Sequence, residues 1–191
     1  MTKGRLEAFS DGVLAIIITI MVLELKIPEG YTFEALKPLL HTLVSYVLSF
    51  IYIGIYWNNH HHLFQSVKQI KGNVLWHNMH LLFWLSLVPF VTGWIGEQQM
   101  KAFPVALYGV VLLLAALAYT FLVRALMKVE GKDSVLAKSI GNDTKGFISL
   151  LFYITGILLS IFIHPWFGYA CYIIVAMIWF IPDLRIERNL K

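Results

Sequence analysis

The chain places a hydroxyl and a carboxylate directly before its first long apolar segment. Ser10 and Asp11 precede an aliphatic run that reaches residue 23, with Thr19 as its polar interruption. An ionisable group at the end of a membrane helix is costly, so it is normally paired with another polar group or lies beside an ion path. Arg5 stands six residues before Asp11, whereas side chains meet along one helix at spacings of three or four. We therefore expect Asp11 to find its partner on another helix.

A second group of polar side chains lies where the second apolar segment ends and the third begins. Trp57 and His60 belong to the second segment, and His77 belongs to the third. If the segments cross a membrane in turn, these side chains share one membrane level with Ser10 and Asp11. Polar groups between membrane helices bond to one another across helices. We therefore predict a buried polar network that joins the five residues.

The histidines also raise the possibility of a metal or haem site. His60 begins a run of three consecutive histidines, which fan out by about 100° per residue on a helix, so at most two can face one ion. His77 and His80 share a helix face, and His60 could join them. Cysteine and carboxylate co-ligands are sparse, however, so we expect no metal and no other cofactor. Ser10 lacks the Gly-x-Ser-x-Gly setting of a hydrolase nucleophile, and we expect no enzyme.

The composition is that of a membrane protein. Of 191 residues, 59% are hydrophobic and 14% are charged, and the mean hydropathy is +0.72. Globular domains average about 45–50% apolar and about 25% charged residues, and a membrane helix needs about 20 residues. We predict an all-α integral membrane protein with one domain, residues 1–191. Its six transmembrane helices are expected over residues 5–26, 39–62, 74–96, 103–127, 146–163 and 166–182.

The basic residues set the expected orientation. In alternate loops, twelve of the 15 lysines and arginines fall on one side of the membrane. Cytoplasmic loops carry such an excess, so both termini are predicted to be cytoplasmic. The cations are spread over loops and termini and form no nucleic-acid patch, so we expect no nucleic-acid partner. The basic side holds Lys3, Arg5, Lys68, Lys71, Arg124, Lys128, Lys132, Lys138, Lys145, Arg185, Arg188 and Lys191, and the other side holds Lys26, Lys37 and Lys101.

One face of the first helix is aliphatic. At about 100° per residue, Ile16, Ile20 and Leu23 fall within a narrow stripe, Thr19 lies at its margin, and Asp11 points well away from it. Such a stripe ordinarily faces lipid or packs against another helix. It lines a pore only in an oligomer that has this helix on its axis. The residues alone leave these alternatives open.

Three local patterns resemble the transmembrane protein 175 family of potassium channels. Residues 5–11 read Arg-x-x-x-Phe-Ser-Asp and lead directly into the aliphatic helix, with Phe9 as the aromatic member. Residues 57–64 read Trp-x-x-His-x-x-Leu-Phe, and residues 182–185 read Pro-Asp-x-Arg. The first pattern is the most specific. A single copy of the unit resembles the short prokaryotic members and not the duplicated animal form.

The resemblance implies a potassium channel built as a homotetramer, in which each subunit gives its first helix to a central pore. By position, Ile16, Ile20 and Leu23 would form the aliphatic constrictions of a hydrophobic gate, with Ile16 the narrowest, and Thr19 would supply a nearby hydroxyl. The permeant K⁺ would be the ligand. The partners would be monovalent cations, the lipid bilayer and other copies of the chain. The location would be a prokaryotic plasma membrane.

Three other functions remain open from the residues. The histidines titrate near physiological pH, so a proton-conducting channel is one alternative. A secondary transporter is another, although no inverted repeat and no broken helix is evident in the sequence. A membrane enzyme with a histidine metal site is the third.

Overall fold

The computed structural model describes residues 2–67, 69–131, 134, 136 and 143–180. All regular structure within them is helical, which confirms the predicted all-α class. A short 3₁₀ segment, Phe33–Leu39, leads into the second helix. The helices are α1 Lys3–Leu23, α2 Leu40–Gln65, α3 Gly72–Ser86, α4 Val88–Glu97, α5 Ala102–Glu130, α6 Thr144–Phe162 and α7 Pro165–Phe180.

Five helical stretches are long and apolar enough to cross a membrane, so the protein is a multi-pass membrane protein. They are Lys3–Leu23, Phe33–Gln65, Gly72–Glu97, Ala102–Glu130 and Thr144–Phe162. The sixth, Pro165–Phe180, is apolar but has 16 residues. Its predicted end at residue 182, and the pattern at 182–185, lie outside the described residues.

The third predicted span is not one straight helix. The span predicted over 74–96 corresponds to one stretch of membrane-spanning length, Gly72–Glu97, but the expectation that no helix is broken is wrong at Leu87, where α3 ends and α4 begins. Pro89 lies in the first turn of α4. A proline has no backbone N–H and its ring clashes with the carbonyl four residues earlier, so it interrupts a helix and is tolerated at the start of a new one. After the break, α4 packs against α1, α2 and α5.

The helices enclose one contiguous apolar cluster. α5 packs against α3, α4, α6 and α7, and α1 packs on α2, α3 and α4. Close approach of α5, α6 and α7 depends on two glycines. A Cβ atom built on Gly109 or Gly156 would overlap the ring or hydroxyl of Tyr172, which is fully buried. These glycines therefore form a cradle for the tyrosine.

We expect Gly156→Ala to destabilise the fold. The added methyl would lie 2.5 Å from Cε1 of Tyr172 and 3.0 Å from the carbonyl oxygen of Gly168, and overpacking typically costs about 1–3 kcal/mol. The thermal midpoint in detergent, followed by tryptophan fluorescence, should fall by several degrees. Gly54→Ala is the matched control, because its Cβ would meet no atom within 4 Å. Equal midpoints for the two variants would contradict the cradle.

Candidate functional site

α1 divides into a buried face and an exposed face. Residues three or four apart share one side of a helix, and five of them pack into the protomer: Leu6, Ser10, Leu14, Ile17 and Met21. The rest of the helix is left largely uncovered by the protomer. This split follows the apolar and small residues along α1, because α2, α3 and α4 cover only one side of it.

The predicted aliphatic stripe lies on the exposed side. Ile16 is 60% exposed, Ile20 is 42% exposed and Leu23 is 76% exposed. They are therefore not part of the interior of one protomer. Large branched side chains on a membrane-spanning helix must face either lipid or another copy of the chain, and both environments are apolar.

Thr19 lies on the same exposed side, and its hydroxyl proton is already engaged in a hydrogen bond. Its Oγ1 donates to the carbonyl oxygen of Ala15 at 2.9 Å. A hydroxyl has one donor and two acceptor lone pairs, so this back-bond leaves the oxygen as an acceptor toward the exposed side. An outward-facing acceptor on an otherwise aliphatic surface suits contact with a cation or with water.

A buried hydrogen-bond chain holds the N-terminal half of α1 against α2 and α3. Ser10 donates to the carbonyl oxygen of Leu6 at 2.9 Å and accepts a hydrogen bond from the side-chain amide of Asn78, also at 2.9 Å. His60 Nε2 donates to Oδ1 of Asn78 at 2.8 Å. Ser10, His60 and Asn78 are each at most 2% exposed. The side-chain amide of Asn78 therefore links two helices, because its oxygen accepts a hydrogen bond from α2 while its nitrogen donates one to α1.

A second, exposed contact lies beside this chain. Trp57 Nε1 donates to Oδ1 of Asp11 at 3.1 Å, and the indole stacks on the ring of His61. The carboxylate therefore has its partner on another helix. It lies on the exposed side of α1, away from the aliphatic stripe.

His77 lies outside the network. Its ring faces Phe121, with the ring centroids 6.5 Å apart. The next residue, Asn78, takes the central position. Val74, Asn78 and Leu81 are buried together on one face of α3. The spacing of apolar residues along that helix could therefore have predicted that Asn78 faces the protein interior.

Two motif residues, Arg5 and Phe9, lie on the exposed side of α1. Phe9 is 49% exposed. Arg5 makes no hydrogen bond or ion pair with any part of the chain that the structure describes. Neither residue therefore has an evident role in the folding of a single protomer.

Each histidine of α2 and α3 that forms a hydrogen bond has a partner other than a second histidine. His61 Nε2 hydrogen-bonds Gln65 at 2.8 Å, and His80 accepts from Trp84 Nε1 at 2.9 Å. Across residues 2–67, 69–131 and 143–180, no group of three or more histidine, cysteine, aspartate or glutamate side chains is arranged to hold a metal ion.

The other end of α1 opens beside a cleft. A cavity of about 640 Å³ separates α1 from α4, and its walls include Ile20, Glu24 and Phe90. Glu97 also lines this cavity, and it pairs with Lys26 at 2.7 Å. The hydrogen bond and charge of Glu97 raise the pKa of Lys26 above its ordinary value. This pair ties the C-terminal end of α1 to the C-terminal end of α4.

We expect Asn78→Leu to loosen α1. The change removes both bonds of the amide and leaves the hydroxyl of Ser10 and the ring of His60 buried without it, and an unsatisfied buried polar group costs about 1–3 kcal/mol. The thermal midpoint in detergent should drop. Asn58→Leu is the matched control, since Asn58 lies on α2 and is only half-buried. An unchanged midpoint for Asn78→Leu would contradict the role given to the amide.

The chain is similar to known channel proteins along its whole length. The profile of the family described as "Endosomal/lysosomal potassium channel TMEM175" matches residues 5–89. A Chryseobacterium protein named a potassium channel is 56% identical over 191 residues, or 100% of this chain and 99% of that one. A Streptomyces collinus protein, also named a potassium channel, is 35% identical over 125 residues, which is 61% of each chain.

The fold is shared with a solved structure. The crystal structure of a lysosomal potassium-selective channel TMEM175 homolog from Chamaesiphon minutus matches with a TM-score of 0.78 and 27% identity. The match covers 95% of this chain and 97% of that chain. The family-profile match over residues 5–89 and the full-length relative point to the same family as this structure. The chain therefore belongs to the TMEM175 family.

Proposed function

We propose that this protein is a potassium-permeable cation channel in which the α1 helices of four subunits surround a central pore. The observation that carries the proposal is the exposed aliphatic face of α1, Ile16, Ile20 and Leu23, which the protomer leaves uncovered. The potassium-channel names of the family members support the choice of ion. The number of subunits comes from the resemblance stated above.

A row of small residues beside that face supports packing between copies of α1. Ala8, Gly12, Ala15 and Thr19 lie on the exposed side of α1, roughly opposite its buried residues at about 100° per residue. Small residues at this spacing let membrane helices approach closely. The small row and the aliphatic stripe are adjacent, so a neighbouring α1 can pack on the first while the second faces the axis.

The mechanism follows from the chemistry of the stripe. A narrow apolar constriction gates by dewetting, because it does not hold a continuous column of water. Stacked rings of Ile16, Ile20 and Leu23 would close the pore until the helices or side chains withdraw. At the margin between the small row and the stripe, the Oγ1 of Thr19 would offer acceptor oxygens to a partly dehydrated K⁺. The 191 residues contain no Thr-Val-Gly-Tyr-Gly filter, so discrimination would fall to this helix.

The polar contacts have a positioning role in this proposal. The chain from Ser10 through Asn78 to His60, and the bond from Trp57 to Asp11, hold α1 at one rotation. A rotation of α1 by about 100°, the angle of one residue, would turn Ile16 to the buried direction that Ile17 now occupies. The proposal places the channel in a prokaryotic plasma membrane with both termini in the cytoplasm, and it needs no cofactor besides the permeant ion.

We expect Ile16→Ser to raise conductance and weaken the discrimination of K⁺ from Na⁺. A small hydroxyl side chain would widen the constriction and let it wet. Purified protein in liposomes with a potassium gradient, followed by unitary recording in bilayers, measures both quantities. The liposome assay also separates a channel from a transporter, since a channel passes many ions without a coupled substrate.

Val22→Ser is the matched control for Ile16→Ser. Val22 is 45% exposed on α1 but lies well away from the stripe. Its conductance and selectivity should remain those of the wild type. Unchanged K⁺ and Na⁺ currents in Ile16→Ser, from protein that assembles normally, would contradict the pore lining.

We expect Gly12→Leu to weaken assembly without unfolding the protomer. Gly12 is exposed and a Cβ there meets no atom within 4 Å inside the protomer, so we expect the added side chain to be tolerated by the protomer and to clash with a closely packed second copy. Native mass spectrometry should show loss of the four-subunit species, while Gly54→Leu on α2, equally free of neighbours, should keep it. A Gly12→Leu protein that remains tetrameric would exclude the small row from the interface.

A further inference from the structure

The face of α1 that carries the aliphatic stripe continues toward the N-terminus with two further residues, Phe9 and Arg5. α1 is continuous from Lys3 to Leu23. At about 100° per residue, Arg5 lies within about 20° of Ile16 and Leu23 around the helix. Phe9 lies between Arg5 and Ile16 on the same side, and all four are exposed in the protomer. The charged residue of the motif is thus aligned with the candidate constrictions, nearest the N-terminal end.

The guanidinium of Arg5 is also without a partner among the described residues. Lys3, two residues earlier, turns inward and donates to the carbonyl oxygen of Val67 at 3.2 Å. Arg5 has no such bond with the described part of the chain. Glu7 and Asp11 are the nearby carboxylates of α1, but each lies more than about 100° around the helix from Arg5. Neither therefore meets the guanidinium on its own helix.

We infer that Arg5 lines the N-terminal mouth of the pore and that the four copies form a ring of positive charge which limits the access of cations from that side. The inference rests on the proposed pore, because only an assembly with α1 on its axis brings the four guanidinium groups together. Arg5 would then limit the entry of cations at this mouth, in series with the constrictions that the aliphatic rings form.

The size of the effect follows from screened electrostatics. Four unit charges at about 10 Å from the axis, in water at 0.1 M salt, lower the local K⁺ concentration by about threefold. The factor grows to about sevenfold at 0.01 M and nearly vanishes at 1 M, because the Debye length falls from about 30 Å to about 3 Å. The carboxylates of Glu7 and Asp11 lie farther from the axis, by up to about the 10 Å width of a helix, so they offset this field only in part.

The test compares Arg5→Gln with the wild type by unitary recording in bilayers of uncharged lipid. The ratio of variant to wild-type conductance should be about seven in 0.01 M KCl, about three in 0.1 M and close to one in 1 M. Arg5→Lys keeps the charge and should restore the wild-type values at all three concentrations. A merely structural role of Arg5 would not produce a ratio that depends on ionic strength.

Arg124→Gln is the matched control. Arg124 is exposed on α5, a helix that packs on α3, α4, α6 and α7. Its neutralisation should leave the conductance unchanged. A ratio near one for Arg5→Gln at every salt concentration, or an equal gain in Arg124→Gln, would overturn the inference.

A wild-type measurement keeps the inference testable if Arg5→Gln does not assemble. Current carried by K⁺ that approaches from the N-terminal side should fall relative to the opposite current as symmetric KCl is lowered from 1 M to 0.01 M. Symmetric currents at 0.01 M would overturn the inference.

The two variants together distinguish failure of the charge ring from failure of the pore. If Ile16→Ser alters permeation while Arg5→Gln has no effect, only the charge ring fails. If neither variant has an effect, the pore lining itself fails.

Discussion

The rotation of α1 about its own axis is the constraint on which the other features depend. Within a bilayer a polar side chain has no water to bond, so it must find a partner in the protein. Asn78 meets that need for two helices at once, because its nitrogen donates to Ser10 on α1 and its oxygen accepts from His60 on α2. With Ser10 held inward, the helical repeat turns Ile16, Ile20 and Leu23 outward. A few buried hydrogen bonds thereby decide which apolar surface is available to other copies.

The exposed surface of α1 is divided by side-chain size and charge. One strip carries bulky aliphatic groups, the adjacent strip carries Ala8, Gly12, Ala15 and Thr19, and Arg5 continues the aliphatic strip toward the N-terminus. A surface that faced only lipid would not need this division, since acyl chains accept side chains of many sizes. The division suits close packing of symmetry-related helices around a narrow opening. At the other end, Lys26, just beyond α1, forms an exposed ion pair with Glu97 at the end of α4.

The sequence was sufficient to predict the features that depend on composition and helical repeat. The all-α class, the positions of the long helices and the aliphatic stripe follow from apolar runs and a spacing of three to four residues. The break at Leu87 does not follow from the hydropathy pattern, because the residues on both sides of Pro89 are mostly apolar and together are long enough for one span. Residue type favours His77 as the network member, whereas helix phase favours Asn78, which shares the buried face of Val74 and Leu81. Which side chains form hydrogen bonds across helices depends on how the helices pack, and the spacing of residues within one helix does not determine that packing.

Cross-linking in the native membrane tests most directly whether the aliphatic faces meet. In a Cys171→Ser background, which removes the chain's one cysteine, Ile16→Cys should form disulfide-linked dimers under mild oxidation, since symmetry brings the four positions around the axis. Val22→Cys on the same helix, nearly as exposed, should remain monomeric on a denaturing gel. Cross-linked Val22→Cys beside unlinked Ile16→Cys would mean that the stripe faces lipid, and the proposed pore would have to be abandoned.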